Sequence, residues 1–433
     1  MSEPSKPGSR MRSRIRGIAL DVSPLRESRD FRFLFFGMSV SSLGSAMAMV
    51  ALPYQVWRIT HSAMAVGLLG AAELAPLIVA SIVGGAIADA HERRRLLTII
   101  LLAEIGVSSL LAWNASIGGP LWFLYVMAAV QAGAFGFAIP ARRSWAPRLV
   151  APAKLPAMAA LEGSSFGISH LAGPAIGGLA IATIGLAGTY LVDVGTFVFA
   201  LAMISMMRPS PASEHAAAPG FKSILEGFAF LRGRPMLQGS FLIDLNAMVF
   251  GMPRALFPAM AAMMGGGPKS LGLLYAAPSA GSFLAMAASG WSGRIRRQGL
   301  AVTLSVLGWG VAIAAFGLTR SIPVAVACLA AAGFADAVSG IFRMAIVQEV
   351  TPDHLRGRLS GMEIAVYAGG PTLGDVEAGV VAGLTSVRLS VVSGGLACLV
   401  GAGVVALALP SFIRYDRTKA VAEKMLDAAR PAT

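Results

Sequence analysis

Charged, aromatic and cysteine residues are all scarce in this chain. Only 13% of the 433 residues are charged, 8% are aromatic, and there are two cysteines. A soluble globular domain carries about a quarter charged residues, so this composition excludes a soluble domain of useful size. Cys328 and Cys398 both fall in apolar segments, where a cysteine is a small apolar residue and predicts no disulfide framework.

Metal-binding motifs are also missing. The sequence has no His-x-x-x-His and no Cys-x-x-Cys spacing, and His91-Glu92 stands without a second histidine nearby. Zinc and redox sites need such spacings because their ligands must converge on one ion or one bond. We therefore expect no metal, no cofactor and no enzymatic activity.

Long apolar runs are what the chain has in abundance. Hydrophobic residues make up 56% of the sequence and the mean hydropathy is +0.70. About 20 consecutive apolar residues cross a ~30 Å hydrocarbon layer as one helix. Twelve such segments lie at about 33–56, 65–88, 96–115, 120–138, 162–184, 186–207, 237–263, 270–292, 300–318, 322–345, 363–384 and 388–412. The fold class is therefore an all-α membrane protein with twelve transmembrane helices in two six-helix bundles.

The spacing of these segments divides the chain into five parts. They are a cytoplasmic N-terminal tail (1–32), an N-terminal bundle (33–207), a cytoplasmic linker with an amphipathic helix (208–235), a C-terminal bundle (236–412) and a cytoplasmic C-terminal tail (413–433).

The distribution of positive charge predicts the orientation. The formal net charge is +13, and 30 of the 35 Lys and Arg residues fall on the side that carries both termini. Lysine and arginine are retained on the cytoplasmic side of an inserting helix. We expect a multi-pass protein of the cell (inner or plasma) membrane with both termini cytoplasmic, in contact with membrane lipids. Nucleic acid is not needed to explain the charge.

The two halves of the sequence repeat each other. Gly67-Leu68-Leu69 recurs as Gly272-Leu273-Leu274, and both this pair and the prolines Pro147 and Pro352 are separated by 205 residues (272 minus 67; 352 minus 147). A duplicated six-helix unit is the parallel repeat of some secondary transporters. Two related bundles around a midplane cavity can rock, and so expose one site to each face in turn.

Two short motifs carry a resemblance to a known family. After the second segment, Gly85, Asp89, Arg93 and Arg94 match G-x-x-x-D-(R/K)-x-G-(R/K)-(R/K), although Ala90 and Glu92 depart from it. In the fifth segment, Gly173-Pro174 and Gly177-Gly178 match the pattern g-x-x-x-G-P-x-x-G-G, with Ser169 in place of its first glycine. The chain thereby resembles the major facilitator superfamily and, within it, the twelve-helix drug:proton antiporters and siderophore exporters.

The resemblance implies roles for both motifs. In the family the first motif latches one conformation against helix 11, so Gly85, Asp89, Arg93 and Arg94 are the candidate latch. The alternative is that Asp89 caps its own loop and that Arg93 to Arg95 bind lipid phosphates. The second motif implies export in exchange for protons, whereas the residues alone indicate a kinked packing helix. The family's helix 4 arginine is absent, because Ala128 and Ala129 stand in that region.

Ionisable residues within the spans are candidates for coupling, since each is costly at the bilayer centre. By analogy with the fold, the cavity-lining candidates are Glu73, His170, Asp244, Arg254, Asp336, Asp375 and Glu377. Glu104 and Asp193 lie on outer helices, where packing roles are expected. Arg254 is expected to be the only arginine or lysine inside a span, paired with Asp336 or with a carboxylate of the eleventh span.

These patterns predict a monomeric secondary transporter. It would export an amphipathic small molecule (a drug-like compound, a lipophilic metabolite or a siderophore) by alternating access, in exchange for protons. One alternative is a proton-coupled importer with the same fold. The alternative from another class is a non-transporting receptor or an intramembrane enzyme.

Overall fold

The computed structural model describes residues 20–209, 229–351 and 356–416. Residues 210–228 of the linker, and with them most of the expected amphipathic helix, fall outside these ranges. So does most of the C-terminal tail, and the side chain of Asp89 also lies outside the described part.

Six long helices form the N-terminal bundle. They are α1 (Arg29–Thr60), α2 (Ala63–Ala90), α3 (Arg93–Ile117), α4 (Leu121–Trp145), and α5 and α6, which are the two parts of the helical stretch Leu155–Ser205. That stretch breaks at Gly185, which has φ 75° and ψ 178°, a conformation that only glycine adopts at low cost. We call residues 155–184 α5 and residues 186–205 α6.

Six further helices form the C-terminal bundle. They are α7 (Pro235–Met263), α8 (Pro268–Ala287), α9 (Gln298–Leu318), α10 (Ile322–Val350), α11 (Arg356–Leu384) and α12 (Val387–Ala408). The first of these is interrupted: its regular part ends at Phe250, and a 3₁₀ turn, Arg254–Leu256, precedes the short helix Phe257–Met263. Pro253 has no amide hydrogen to donate, which favours a break at this point.

The twelve predicted spans are all present, but several predicted ends are wrong. The fourth helix continues to Trp145 rather than residue 138, α10 continues to Val350 rather than 345, and α11 begins at Arg356 rather than 363. The predicted N-terminal tail also includes the short helix Ser23–Glu27 and the start of α1. Hydropathy marks only the hydrocarbon crossing, whereas a helix continues into the interface, where long polar side chains reach water.

The two bundles meet along two helix pairs, α2 with α11 and α5 with α8. Both pairs cross at glycines. A Cβ built on Gly379 would lie 2.6 Å from the Cα of Gly67, and one on Gly272 would lie 2.9 Å from the Cα of Gly178. No side chain fits at such distances, so the backbones touch directly.

Both glycine crossings lie toward one end of the molecule. We call this end the closed face, and it contains the connections at 61–62, 118–120, 264–267, 319–321 and 385–386. The opposite end, the tail face, contains 20–28, 91–92, 146–154, 288–297 and 409–416.

Toward the tail face the bundles separate. Gly167 lies 11 residues before Gly178 on α5, which is three helical turns and therefore the same side of the helix. A Cβ on Gly167 would meet nothing within 4 Å. On α8, Phe283 occupies the corresponding position relative to Gly272, and it is 55% exposed. Along α5 and α8 the bundles therefore separate toward the tail face, whereas both helix pairs touch at the closed face.

Candidate transport site

An ion pair between α7 and α11 lies beside the α2–α11 crossing. Arg254 Nη2 donates to Asp375 Oδ2 at 2.7 Å, and the backbone N–H of Ala255 donates to Asp375 Oδ1 at 2.9 Å. The break in α7 makes this amide available, because it is not held by an intrahelical bond. Tyr275 of α8 donates its hydroxyl to the carbonyl of Arg254 at 3.0 Å. The sequence predicted a span-11 carboxylate as one possible partner of Arg254, and the structure confirms that pairing.

Two groups from the N-terminal bundle face this ion pair. Glu73 of α2 is an electrostatic neighbour of Arg254 and Asp375, and His170 of α5 is an electrostatic neighbour of Arg254. The His170 ring stacks on Phe166 with 3.9 Å between ring centroids. Although the pair is deep in the protein, the Arg254 side chain is 31% exposed, so water in the cavity reaches it. We call Glu73, His170, Arg254, Tyr275 and Asp375 the central cluster.

A second group of charges lies within the C-terminal bundle, nearer the tail face. Arg343 of α10 forms an ion pair with Asp244 of α7, and its Nη2 lies 3.8 Å from Asp336 Oδ1. Arg343 and Asp244 are buried, whereas Asp336 is 34% exposed. The expectation that Arg254 is the only cation within a span is therefore wrong, and Asp336 pairs with Arg343 instead. Asp336 and Arg343 are seven residues apart, which is two helical turns and places them on the same side of α10. This spacing is the feature of the sequence from which their pairing could have been predicted.

Glu377 does not join either cluster. It lies two residues after Asp375 on α11, which turns it about 200° around the helix axis. It is partly exposed and makes no ion pair within the described residues.

The candidate latch arginines contact their own bundle. Arg93 is fully buried and its Nε donates to Ser144 Oγ at 3.1 Å, while Arg94 Nη2 donates to the carbonyl of Ser205 at 2.6 Å. They join the α2–α3 connection to the tail-face ends of α4 and α6. The alternative in which these two arginines bind lipid phosphates does not fit Arg93, which has no exposed surface.

The glycines of the α5 motif serve two different contacts. A Cβ on Gly177 would lie 2.7 Å from the carbonyl oxygen of Met47 on α1, and Gly173 packs against Ala46 of the same helix. Gly178 contacts α8, and a Cβ on Gly272 would lie 2.5 Å from the carbonyl oxygen of Pro174. The motif thus packs α5 tightly inside its own bundle and also forms one of the two crossings between bundles.

A pocket in the N-terminal bundle was not anticipated from the sequence. It lies between α1, α4 and α5, and its lining includes Phe35, Ser39, Arg142, Glu162 and Phe166. Arg142 and Glu162 are electrostatic neighbours. The sequence assigned Arg142 to a loop because the apolar run of the fourth span ends near residue 138. We call this pocket the vestibule pocket.

One hydrolase-like pattern occurs in the sequence, but the structure gives it no catalytic setting. Residues 163–167 read Gly-Ser-Ser-Phe-Gly and lie inside α5, whereas a nucleophile elbow needs a strand-to-helix turn. Ser164 donates to the carbonyl of Ala160 at 2.8 Å, and Ser165 donates to Ser39 Oγ at 2.6 Å. Among the described residues no group of three or more His, Cys, Asp or Glu side chains could hold a metal ion.

Two six-helix bundles around a central cavity define a secondary transporter fold, and solved structures share it. The chain superposes on the nucleoside transporter NupG with a TM-score of 0.65 at 12% identity, covering 89% of this chain and all of that one. It also superposes on a bacterial homologue of the human lysosomal transporter Spinster, described as inward-facing and unoccupied. That TM-score is 0.67 at 15% identity, with 89% and 98% of the two chains covered.

Sequence similarity identifies the family. Residues 19–428 match the transmembrane secretion effector family, MFS_3, and the chain belongs to this family of the major facilitator superfamily. It is 30% identical over 404 residues to the enterobactin exporter EntS of Shigella boydii serotype 18, covering 92% of this chain and 96% of that protein. The match to EntS of Escherichia coli O139:H28 has the same identity and coverage.

Proposed function

We propose that this transporter exports an amphipathic small molecule in exchange for protons, by alternating access. The observation that carries the proposal is the central cluster. It joins side chains of both bundles and lies beside the contact that shuts the cavity. A group that binds there can therefore change which face is open.

The tail face is the cytoplasmic face in this proposal. It carries the arginines at 93–95, 142–143 and 294–297, and positive charge is retained in the cytoplasm. The structure then corresponds to the conformation that loads substrate from the cytoplasm. We place the protein in the cell membrane as a monomer, in contact with lipids.

Glu73 is the group that we assign to the coupling proton. It is the member of the central cluster on α2, and it has no ion pair within the described residues. When ionised, it competes with Asp375 for Arg254 across the α2–α11 crossing. When protonated, it leaves the Arg254–Asp375 pair undisturbed. One proton moving down a 100 mV membrane potential supplies ~2.3 kcal/mol, enough to support a useful gradient.

The vestibule pocket is the proposed first contact of the substrate. Its lining combines the rings of Phe35 and Phe166 with the opposite charges of Arg142 and Glu162. Such a surface suits a molecule with an aromatic or lipophilic body and a polar group. Drug-like compounds, lipophilic metabolites and siderophores share this character, and the relatives named above are exporters of the siderophore enterobactin.

Reconstituted protein in liposomes with an imposed pH gradient tests the proposal. Substrate-driven proton movement should be present in the wild type, lost in Glu73→Gln and weakened in Asp336→Asn. Glu27→Gln is the matched control, because Glu27 is an exposed carboxylate at the tail face. Unchanged proton movement in Glu73→Gln would contradict the assignment of the coupling proton. If substrate moved in the same direction as the proton, the protein would be an importer and not an exporter.

The cargo is found by a screen. Cells that lack or overproduce the protein should differ in their accumulation of lipophilic compounds or siderophores, with less accumulation on overproduction. The reverse difference would indicate import.

A further inference from the structure

Apart from the central cluster, the N-terminal bundle encloses two buried carboxyl groups. Glu104 lies in the middle of α3, and Asp193 lies on the facing helix α6. Asp193 is fully buried and Glu104 is 7% exposed. The two carboxyls are electrostatic neighbours. The sequence placed both on outer helices and predicted packing roles, with nothing to suggest that they meet.

The two carboxyls differ in their hydrogen-bond donors. Asp193 accepts from Ser108 Oγ at 2.7 Å and from Thr196 Oγ1 at 3.5 Å. The side-chain amide of Gln131 on α4 faces Glu104, but Glu104 Oε2 is buried and has no hydrogen-bond partner. An ionised carboxylate oxygen in that position would lack any donor, whereas a protonated one becomes a donor itself.

No cation neutralises this pair within the described residues. The neighbours given for it are neutral: Ser108, Tyr190, Thr196 and Gly44 next to Asp193, and Gln131 next to Glu104. Tyr190 donates to Gln55 Oε1, and Gln55 Nε2 donates to Asn114 Oδ1, each at 2.9 Å. Neither carboxyl forms an ion pair within the part of the chain described.

We infer that Glu104 and Asp193 form a buried proton-binding site that holds at least one proton at neutral pH. Two like charges repel strongly where the dielectric constant is low, and each ionised group is costly inside a membrane bundle. One proton on the pair removes the repulsion and leaves one charge, not two, to be stabilised, as in other buried carboxyl pairs. Glu104 is the protonated member because its free oxygen has no donor, and Asp193 is the partner held by hydroxyl groups. The site lies outside the cavity, so it does not depend on the proposed transport function.

Infrared spectroscopy of the purified full-length protein, without substrate or gradient, tests the inference. At neutral pH the wild type should show the carbonyl stretch of a buried protonated carboxylic acid. That band should be lost in Glu104→Gln, shifted in Asp193→Asn and unchanged in the exposed control Glu27→Gln. A wild-type spectrum that Glu104→Gln leaves unaltered would overturn the inference. If Glu104→Gln does not fold, the absence of any such band from the wild type would overturn it equally.

The pH dependence of thermal unfolding gives a second readout. The folded state holds a proton that the unfolded chain releases at neutral pH, so the unfolding midpoint of the wild type should fall as pH rises. In Glu104→Gln this slope should be smaller, because the amide cannot lose a proton. An equal slope in both proteins would overturn the inference. So would a wild-type midpoint that rises with added sodium, which would indicate a metal-cation site.

Discussion

The two bundles neutralise their buried acids in different ways. In the C-terminal bundle the buried carboxylates pair with arginine: Asp244 with Arg343, and Asp375 with Arg254. In the N-terminal bundle Glu104 and Asp193 have hydroxyl and amide neighbours and no cation within the described residues. The C-terminal bundle therefore contains fixed charge pairs, and the N-terminal bundle contains acids that have no arginine or lysine partner among the described residues.

This difference indicates that the buried acids of the two bundles have different roles. An arginine cannot give up its proton in a protein, so the C-terminal pairs are fixed charges whose partners can only be exchanged. A carboxyl without a cation can gain or lose a proton, and its charge then changes. Glu73 combines both situations: it is an acid of the N-terminal bundle, and it faces Arg254 of the other bundle. Substituting carboxyls by amides distinguishes the two kinds of acid, since an amide mimics a protonated acid but cannot neutralise an arginine.

Asp244→Asn should show the largest effect on stability. It removes the carboxylate that pairs most closely with the buried Arg343, and breaking a buried pair costs about 3–5 kcal/mol. The free energy of unfolding in detergent should fall by about that amount. Adding Arg343→Met should restore most of the loss, because it removes the uncompensated cation. A double variant no more stable than Asp244→Asn would show that Arg343 is not the cause.

Asp375→Asn should cost less stability but stop transport. Since 31% of the Arg254 side chain is exposed, water can solvate the unpaired guanidinium, and we expect a loss of roughly 1–2 kcal/mol, well below that of a fully buried pair. Substrate flux in liposomes should fall to background. Glu377→Gln is the matched control on the same helix and should retain both stability and flux. Equal loss in the two variants would contradict the central role of the Arg254–Asp375 pair.

Ser108→Ala should have a moderate effect. It removes the 2.7 Å hydrogen bond to Asp193, and a single buried hydrogen bond contributes about 0.5–1.5 kcal/mol. Ser116→Ala is the control on the same helix, because the Ser116 hydroxyl bonds only to an exposed backbone carbonyl. Chemical denaturation of both variants measures the difference. A loss in Ser108→Ala as large as that in Asp244→Asn would show that this hydrogen bond stabilises the protein as much as the buried ion pair does.

Lys154→Gln should have the smallest effect. Lys154 lies 3.4 Å from Glu27 and 3.9 Å from Asp21 at the tail face, where these carboxylate side chains are more than half exposed. Exposed ion pairs contribute about 0–1 kcal/mol and weaken with salt. The unfolding midpoint should move little and should move less at high salt. A large shift that persists in high salt would show that surface charge matters as much as the buried pairs.

Much of the fold could be predicted from composition and periodicity, and less of the site. Twelve apolar runs give twelve helices, because backbone polar groups in lipid must be satisfied within a helix. The ends of the helices were harder to predict. Arg142 was assigned to a loop, although α4 continues past it to Trp145. Arg343 was counted with the cytoplasmic charges and not with the in-span residues, but it is buried inside α10.

The sequence by itself determined that this chain is embedded in a membrane and how many times it crosses, because these follow from local hydropathy, and it predicted from internal similarity that the two halves are repeats. Only the tertiary structure decided which acids meet which partners: Asp336 with Arg343, Asp375 with Arg254, and Glu104 with Asp193. Those partners are between 7 and 121 residues apart in sequence. In a low-dielectric interior, the energy of an ionised group depends on the groups that pack against it in space.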